Sequence, residues 1–270
     1  MAKRLITGFV LAPLVIFLIL YAPKPVLYAL LGAAAAQAVD ELVRMFPPIR
    51  PQDRAVLALL AVLAATSPLL GGVGLWLATS LLPIVWLSVC LVQPQTVEAA
   101  AKRAALGMLG LGYVAPLVGV MIALFARGGR DPAAQWNTGR GALLALLVMV
   151  FAGDTGAYFA GRGLGRHKLY ALISPKKTLE GAVGGLCASC LGGYLTHRWF
   201  LPQLGLGEGI LLGAACGAVG QIGDLAESLF KRATGTKDSG GLLPGHGGLL
   251  DRIDGVLFAA PIVQAWLILR

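Results

Sequence analysis

Apolar runs of about 20 residues recur along nearly the whole chain, each bounded by a short polar, glycine or proline stretch. Wound as α-helix, runs of that length match the hydrocarbon thickness of a bilayer. The short alternating segments of a membrane β-barrel are absent from the sequence. Nine spans are predicted, at residues 5–22, 25–43, 55–70, 74–93, 105–126, 141–160, 179–199, 209–228 and 250–269. The expected fold class is therefore all-α, a polytopic integral membrane protein. Pro68, Gly71, Gly72 and Gly74 split the third run from the fourth, which predicts a tight hairpin, with a re-entrant element as the alternative. The first run follows Lys3 and Arg4 like a signal peptide, but Pro23 closes it with no small-residue cleavage site, so it reads as a retained span.

Composition narrows the picture. The chain is 57% hydrophobic and 13% charged, against roughly a quarter charged in soluble domains. That leaves no room for a separate soluble domain. A net charge of +9 on a soluble protein would raise the question of nucleic acid. Here the charge follows topology instead. With a cytoplasmic N-terminus, the inner segments hold 16 of the 22 Lys and Arg residues and the outer segments hold 6. This asymmetry predicts N-inside and C-outside, in a cell (inner or plasma) membrane, with no nucleic-acid partner. Loops 161–178 and 229–249 then face the cytoplasm. Residues 1–140 read as a hydrophobic scaffold, and 141–270 as the region that carries the motif-rich loops. Cys187 and Cys190 form a CxxC, but inside an apolar stretch beside glycines, where cysteine is usually a small packing residue.

The acids carry the chemical signal. Asp251 and Asp254 share one face at the start of the last span. They can hold a hard cation such as Mg²⁺, or pair with Arg252, Arg232 or lysines as a structural network. Asp224 and Glu227 repeat the spacing near the end of the eighth span, within glycines that let helices approach closely and bring Asp224 towards Asp251. Asp154 lies in the apolar sixth span, where an acid is costly unless it faces a partner. The loop GRGLGRHKLYALISPKKTLE, from Gly161 to Glu180, is densely cationic. It suits a triphosphate or a lipid phosphate, although positive-inside charge alone accounts for the count. Thr178 is placed to cap the seventh span. His246 sits between two glycines, suited either to donating to a phosphate or to fixing its loop. No Walker pattern is present.

Ser228, Lys231-Arg232, Lys237-Asp238, Pro244, His246-Gly247-Gly248 and Asp251-Arg252-Ile253-Asp254 follow one another in a specific order and spacing. The pattern resembles the signature of the phosphatidate cytidylyltransferase (CDP-diacylglycerol synthase) family. Asp154 to Tyr158, Ser174 to Thr178 with Glu180-Gly181, and Gln221 to Asp224 are similar to that family's other blocks. The resemblance covers the C-terminal half, and residues 1–140 add only hydrophobicity. It implies a reaction of CTP with phosphatidate, giving CDP-diacylglycerol and pyrophosphate, with Mg²⁺ as cofactor, a second cation left open, and a homodimer. Carried onto this sequence, it implies metal ligands at Asp224, Asp251, Asp254 and Asp154. It implies catalytic roles for Asp224, Lys237, Asp251 and Asp254. Substrate contacts fall on Ser174, Lys176, Lys177, Thr178, Ser228, Lys231, Arg232, His246 and Arg252. A second reading keeps the superfamily and changes the lipid acceptor. A third is a transporter, which would need its charges near mid-membrane rather than clustered at one face.

Overall fold

The computed structural model describes residues 2–46, 49–92, 96–128, 137–242 and 247–269, with the backbone alone for residues 2–10. His246 and Pro244 lie outside the described residues. The elements are α1 (Ala2–Tyr21), α2 (Lys24–Arg44), α3 (Pro51–Thr66), α4 (Gly71–Leu91), α5 (Val97–Leu109), α6 (Ala115–Ala126), α7 (Thr138–Leu164), strands β1 (Lys168–Tyr170) and β2 (Ser174–Thr178), α8 (Leu179–Trp199), α9 (Leu206–Ala233) and α10 (Leu250–Leu269). Each predicted apolar segment falls on helix, and several helices run on past it: α7 reaches Leu164 and α9 reaches Ala233. The backbone goes on satisfying its own hydrogen bonds after the sequence has turned polar, so hydrophobicity marks the helix middle better than its ends.

Six helical stretches among the described residues are long and apolar enough to cross a membrane: Lys24–Arg44, Pro51–Leu91, Val97–Ala126, Thr138–Leu164, Leu206–Ala233 and Leu250–Leu269. This is an all-α integral membrane protein. The stretch Pro51–Leu91 has 41 residues and is broken by a 3₁₀ turn, Ser67–Leu70. Gly71 follows with φ of 70°, a conformation other residues resist.

The chain divides into two compact units. One comprises Met1–Leu11, Ala22–Ala123 and Thr236–Asp251; the other comprises Ala12–Tyr21, Leu124–Gly235 and Arg252–Arg270. In the first unit, α2 packs on α3. Trp86 of α4 is fully buried, donating its indole N–H to the Ala104 carbonyl of α5 at 3.1 Å. A π-helical turn, Gly110–Val114, joins α5 to α6. Beneath these helices lies an ion pair, in which Arg103 grips the Asp53 carboxylate through two 2.7 Å hydrogen bonds.

In the second unit α8 packs between α7 and α9, and glycines set the spacing. A Cβ added at Gly193 would overlap the Gly209 carbonyl of α9, and one added at Gly184 would overlap Ala160 of α7. Ser189, fully buried between them, donates to the Met149 carbonyl at 2.9 Å. Helix α10 closes on α9 in the same manner, for a Cβ at Gly223 would stand 2.6 Å from the Asp254 carbonyl oxygen.

Candidate active site

The cationic loop is more ordered than the sequence suggested. Its first residues continue α7, and β1 and β2 pair antiparallel with Tyr170 opposite Ser174 and Lys168 opposite Thr178. Glu180, in the first turn of α8, anchors the base of this hairpin. It accepts the backbone N–H of Arg166 at 3.1 Å and that of His167 at 3.2 Å, and its Oε1 lies 2.7 Å from His167 Nδ1. Thr178 caps α8 as expected, accepting the Gly181 N–H at 3.1 Å. Arg232 of α9 donates to the Ile173 carbonyl at 3.1 Å and so holds the hairpin turn.

This scaffold delivers Lys177, at the end of β2, to Asp224 of α9: Nζ and Oδ2 are 2.6 Å apart. Asp154 of α7 lies within electrostatic reach of Asp224, Lys177 and Arg252. Asp254 of α10 is buried, accepts the Gly255 N–H at 2.7 Å and lies within electrostatic reach of Asp224 and Glu227. Glu227 is itself fully buried and meets Lys231 at 2.5 Å. Asp224 is therefore the hub of a carboxylate cluster drawn from three helices, with Lys177 and Lys231 at its edge. The sequence raised a glycine-mediated approach of Asp224 towards Asp251. The glycine contact within the second unit is Gly223 against the Asp254 carbonyl.

Other sequence-predicted residues are placed as follows. Ser174 is half-buried and Lys176 exposed on β2; Ser228 is half-buried one turn beyond Asp224; Lys237 and Arg252 are exposed. Asp251 belongs to the first unit, where its Oδ2 accepts the Ser239 N–H at 2.8 Å, the Ser239 hydroxyl at 2.9 Å and the Gly248 N–H at 2.8 Å. That oxygen braces the glycine loop. Neither reading from sequence, cation ligand or partner of Arg252, Arg232 or lysine, included this role. Cys187 and Cys190 are both free thiols.

Residues 1–140 contribute more than hydrophobicity. Glu41 of α2, 2% exposed, accepts the backbone N–H groups of Leu249 and Leu250 at 3.1 and 2.9 Å and the Ser239 hydroxyl at 3.2 Å. Sequence reasoning missed it, although the same signal was available as for Asp154: an acid inside a predicted apolar span.

Among the described residues no three His, Cys, Asp or Glu side chains form a ready-made metal-ligating group. A Mg²⁺ ion does not require one, since it keeps open positions for water and substrate phosphate and is often held by only one or two carboxylates. Asp224 and Asp254, within electrostatic reach of each other and with Lys177 paired to Asp224, are carboxylates of the kind such an ion takes.

A model of the cytidylyltransferase family matches residues 2–269. A phosphatidate cytidylyltransferase of Pseudomonas aeruginosa is 36% identical over 98% of this chain and 96% of its own. Enzymes of the same name from Staphylococcus epidermidis and Staphylococcus aureus are 43% and 45% identical, each over 47% of this chain and 48% of theirs. With the match running nearly end to end over the helices that carry the carboxylate cluster, the chain belongs to the cytidylyltransferase family.

Proposed function

We propose that the protein is a nucleotidyltransferase that makes CDP-diacylglycerol from CTP and phosphatidate. A non-bridging oxygen of the lipid phosphate attacks the α-phosphorus of CTP. The bond from that phosphorus to the β-phosphate bridging oxygen breaks, and pyrophosphate leaves. A phosphate monoester has a second pKa near 6, so most of the nucleophile is already dianionic at neutral pH and no general base is required. What the reaction needs is in-line positioning and neutralisation of crowded negative charge. The observation that supports the reading is the Lys177–Asp224 pair with Asp154 and Asp254 in electrostatic reach of it.

In this reading Asp224 and Asp254 would hold Mg²⁺, with Asp154 as a further candidate, while Asp251 steadies the loop that carries Lys237. When bound, the ion supplies charge neutralisation to the phosphate groups. Lys177 orients Asp224 and presents its ammonium to an incoming phosphate. Lys176, Lys237 and Arg252, exposed as they are, attract the polyanionic nucleotide. Nine crossings are part of the proposal, and the excess of Lys and Arg on one set of loops supports the N-terminus and both motif-rich loops on the cytoplasmic side, where CTP is available. A homodimer is part of the proposal.

The test is transfer of radiolabelled CTP into lipid by purified protein, with and without Mg²⁺, across several lipid acceptors. Phosphatidate-dependent label that disappears on chelation is the expected result. No incorporation with phosphatidate, or equal incorporation after exhaustive chelation, would overturn the substrate or the metal assignment respectively.

A further inference from the structure

We infer that Glu41, on the second helix, is a positioning residue for the reaction: it holds the glycine loop that carries Lys237 to the first turn of α10, which carries Asp251. This rests on the proposed activity, in which those two residues take part. Glu41 is buried at 2% exposure, and every hydrogen bond described for its carboxylate comes from a polar group. Gln37, one turn back, donates its amide at 2.9 Å. The other donors, Ser239 Oγ and the N–H groups of Leu249 and Leu250, lie about 200 residues further along the chain.

Leu249 and Leu250 stand at the N-terminus of α10, where backbone N–H groups lack helical partners and favour negative charge. Glu41 thus caps α10 from another helix. Two carboxylates share the work. Ser239 shares its one hydroxyl proton between Asp251, at 2.9 Å, and Glu41, at 3.2 Å, and gives its N–H to Asp251. Asp251 also takes the Gly248 N–H. The result is a chain of hydrogen bonds, Glu41–Ser239–Asp251–Gly248, which ties α2, the glycine loop and the start of α10 together.

The glycines of the loop fit this arrangement. A Cβ at Gly240 would stand 2.7 Å from Glu41 Oε1, and one at Gly248 would overlap both Glu41 and Ser239. Gly247, with φ of 83°, turns the backbone so that the N–H after it meets Asp251. Part of the glycine content of this loop is explained by room for a buried glutamate rather than by substrate approach.

Replacing the carboxylate by an amide of equal shape sets an NH₂ against one of the two backbone N–H donors, whichever way it turns, and so breaks half of the cap without making a cavity. For full-length Glu41→Gln in detergent we expect kcat to fall at least tenfold, KM for phosphatidate to stay within twofold, and the protein to remain monodisperse. Hydrogen exchange at residues 247–251 should speed up at least tenfold, while α4 and α8 stay unchanged. Ser239→Ala, which removes a single donor, should show the same pattern with a smaller loss of kcat. The two substitutions together should cost less than the product of their separate effects. Normal kcat per folded molecule in Glu41→Gln overturns the inference, as does a loss of kcat with unaltered exchange at 247–251. If Glu41→Gln does not fold, Ser239→Ala decides: unchanged kcat and exchange overturn it. Wild-type protein that lacks transfer activity, yet shows exchange at 247–251 governed by Glu41, would refute the enzyme reading and leave the brace standing.

Discussion

Arg103→Met keeps most of the side chain's volume and removes its charge, which isolates the electrostatics of the N-terminal helices. In the native pair Arg103 Nε and Nη2 donate to Asp53 Oδ2 and Oδ1, both at 2.7 Å, with the side chains 5% and 4% exposed. Charge centres about 4 Å apart attract by about 4 kcal/mol at an effective dielectric of about 20. Desolvation costs several kcal/mol for each ion. Arg103 Nη1, moreover, is buried with no hydrogen-bond partner among the described residues. The intact pair is thus close to break-even, whereas breaking it strands a buried carboxylate at a cost of about 3–5 kcal/mol. On a chain of this size that lowers Tm by roughly 10 °C. Tryptophan-fluorescence melting of wild type, Arg103→Met, Asp53→Leu and the double variant in one detergent measures it. Each single variant should lose stability, and the double variant should return to within about 1–2 kcal/mol of wild type. A loss under about 1 kcal/mol in Arg103→Met, or a double variant as weak as the sum of the singles, would refute the argument.

Three further outcomes test other parts of the structure. Gly193→Val forces a side chain into the Gly209 carbonyl of α9, so it should cost at least about 3 kcal/mol or abolish folding. Gly207→Ala, which meets nothing within 4 Å, serves as the control in the same melting assay. Asp254→Asn should cut cytidylyl transfer by at least about 100-fold with membrane insertion intact; near-normal turnover would remove Asp254 from the metal assignment. Cys187→Ala, at an exposed free thiol, should leave both turnover and Tm unchanged, and a large loss of activity would revive the CxxC as a functional element.

The sequence determined by itself that this is a helical membrane protein, where its apolar segments lie, that Thr178 starts a helix, and which family it resembles. These are properties of single segments. Transfer of about 20 apolar residues into lipid, or a hydroxyl two or three positions before an N–H, needs no knowledge of the rest of the chain. Only the tertiary structure decided which acids meet. Asp224 faces Lys177 and Asp254 because Gly223 lets α10 close on α9 and because Arg232 and Glu180 fix the hairpin that carries Lys177. Asp251 was legible as important, but its loop-bracing hydrogen bonds were not. Glu41 was passed over because three of its four described donors lie 198 to 209 residues away. Such pairings depend on how far one helix slides along another before backbone meets backbone. That register is set by contacts such as Gly193 on Gly209, which no local pattern encodes.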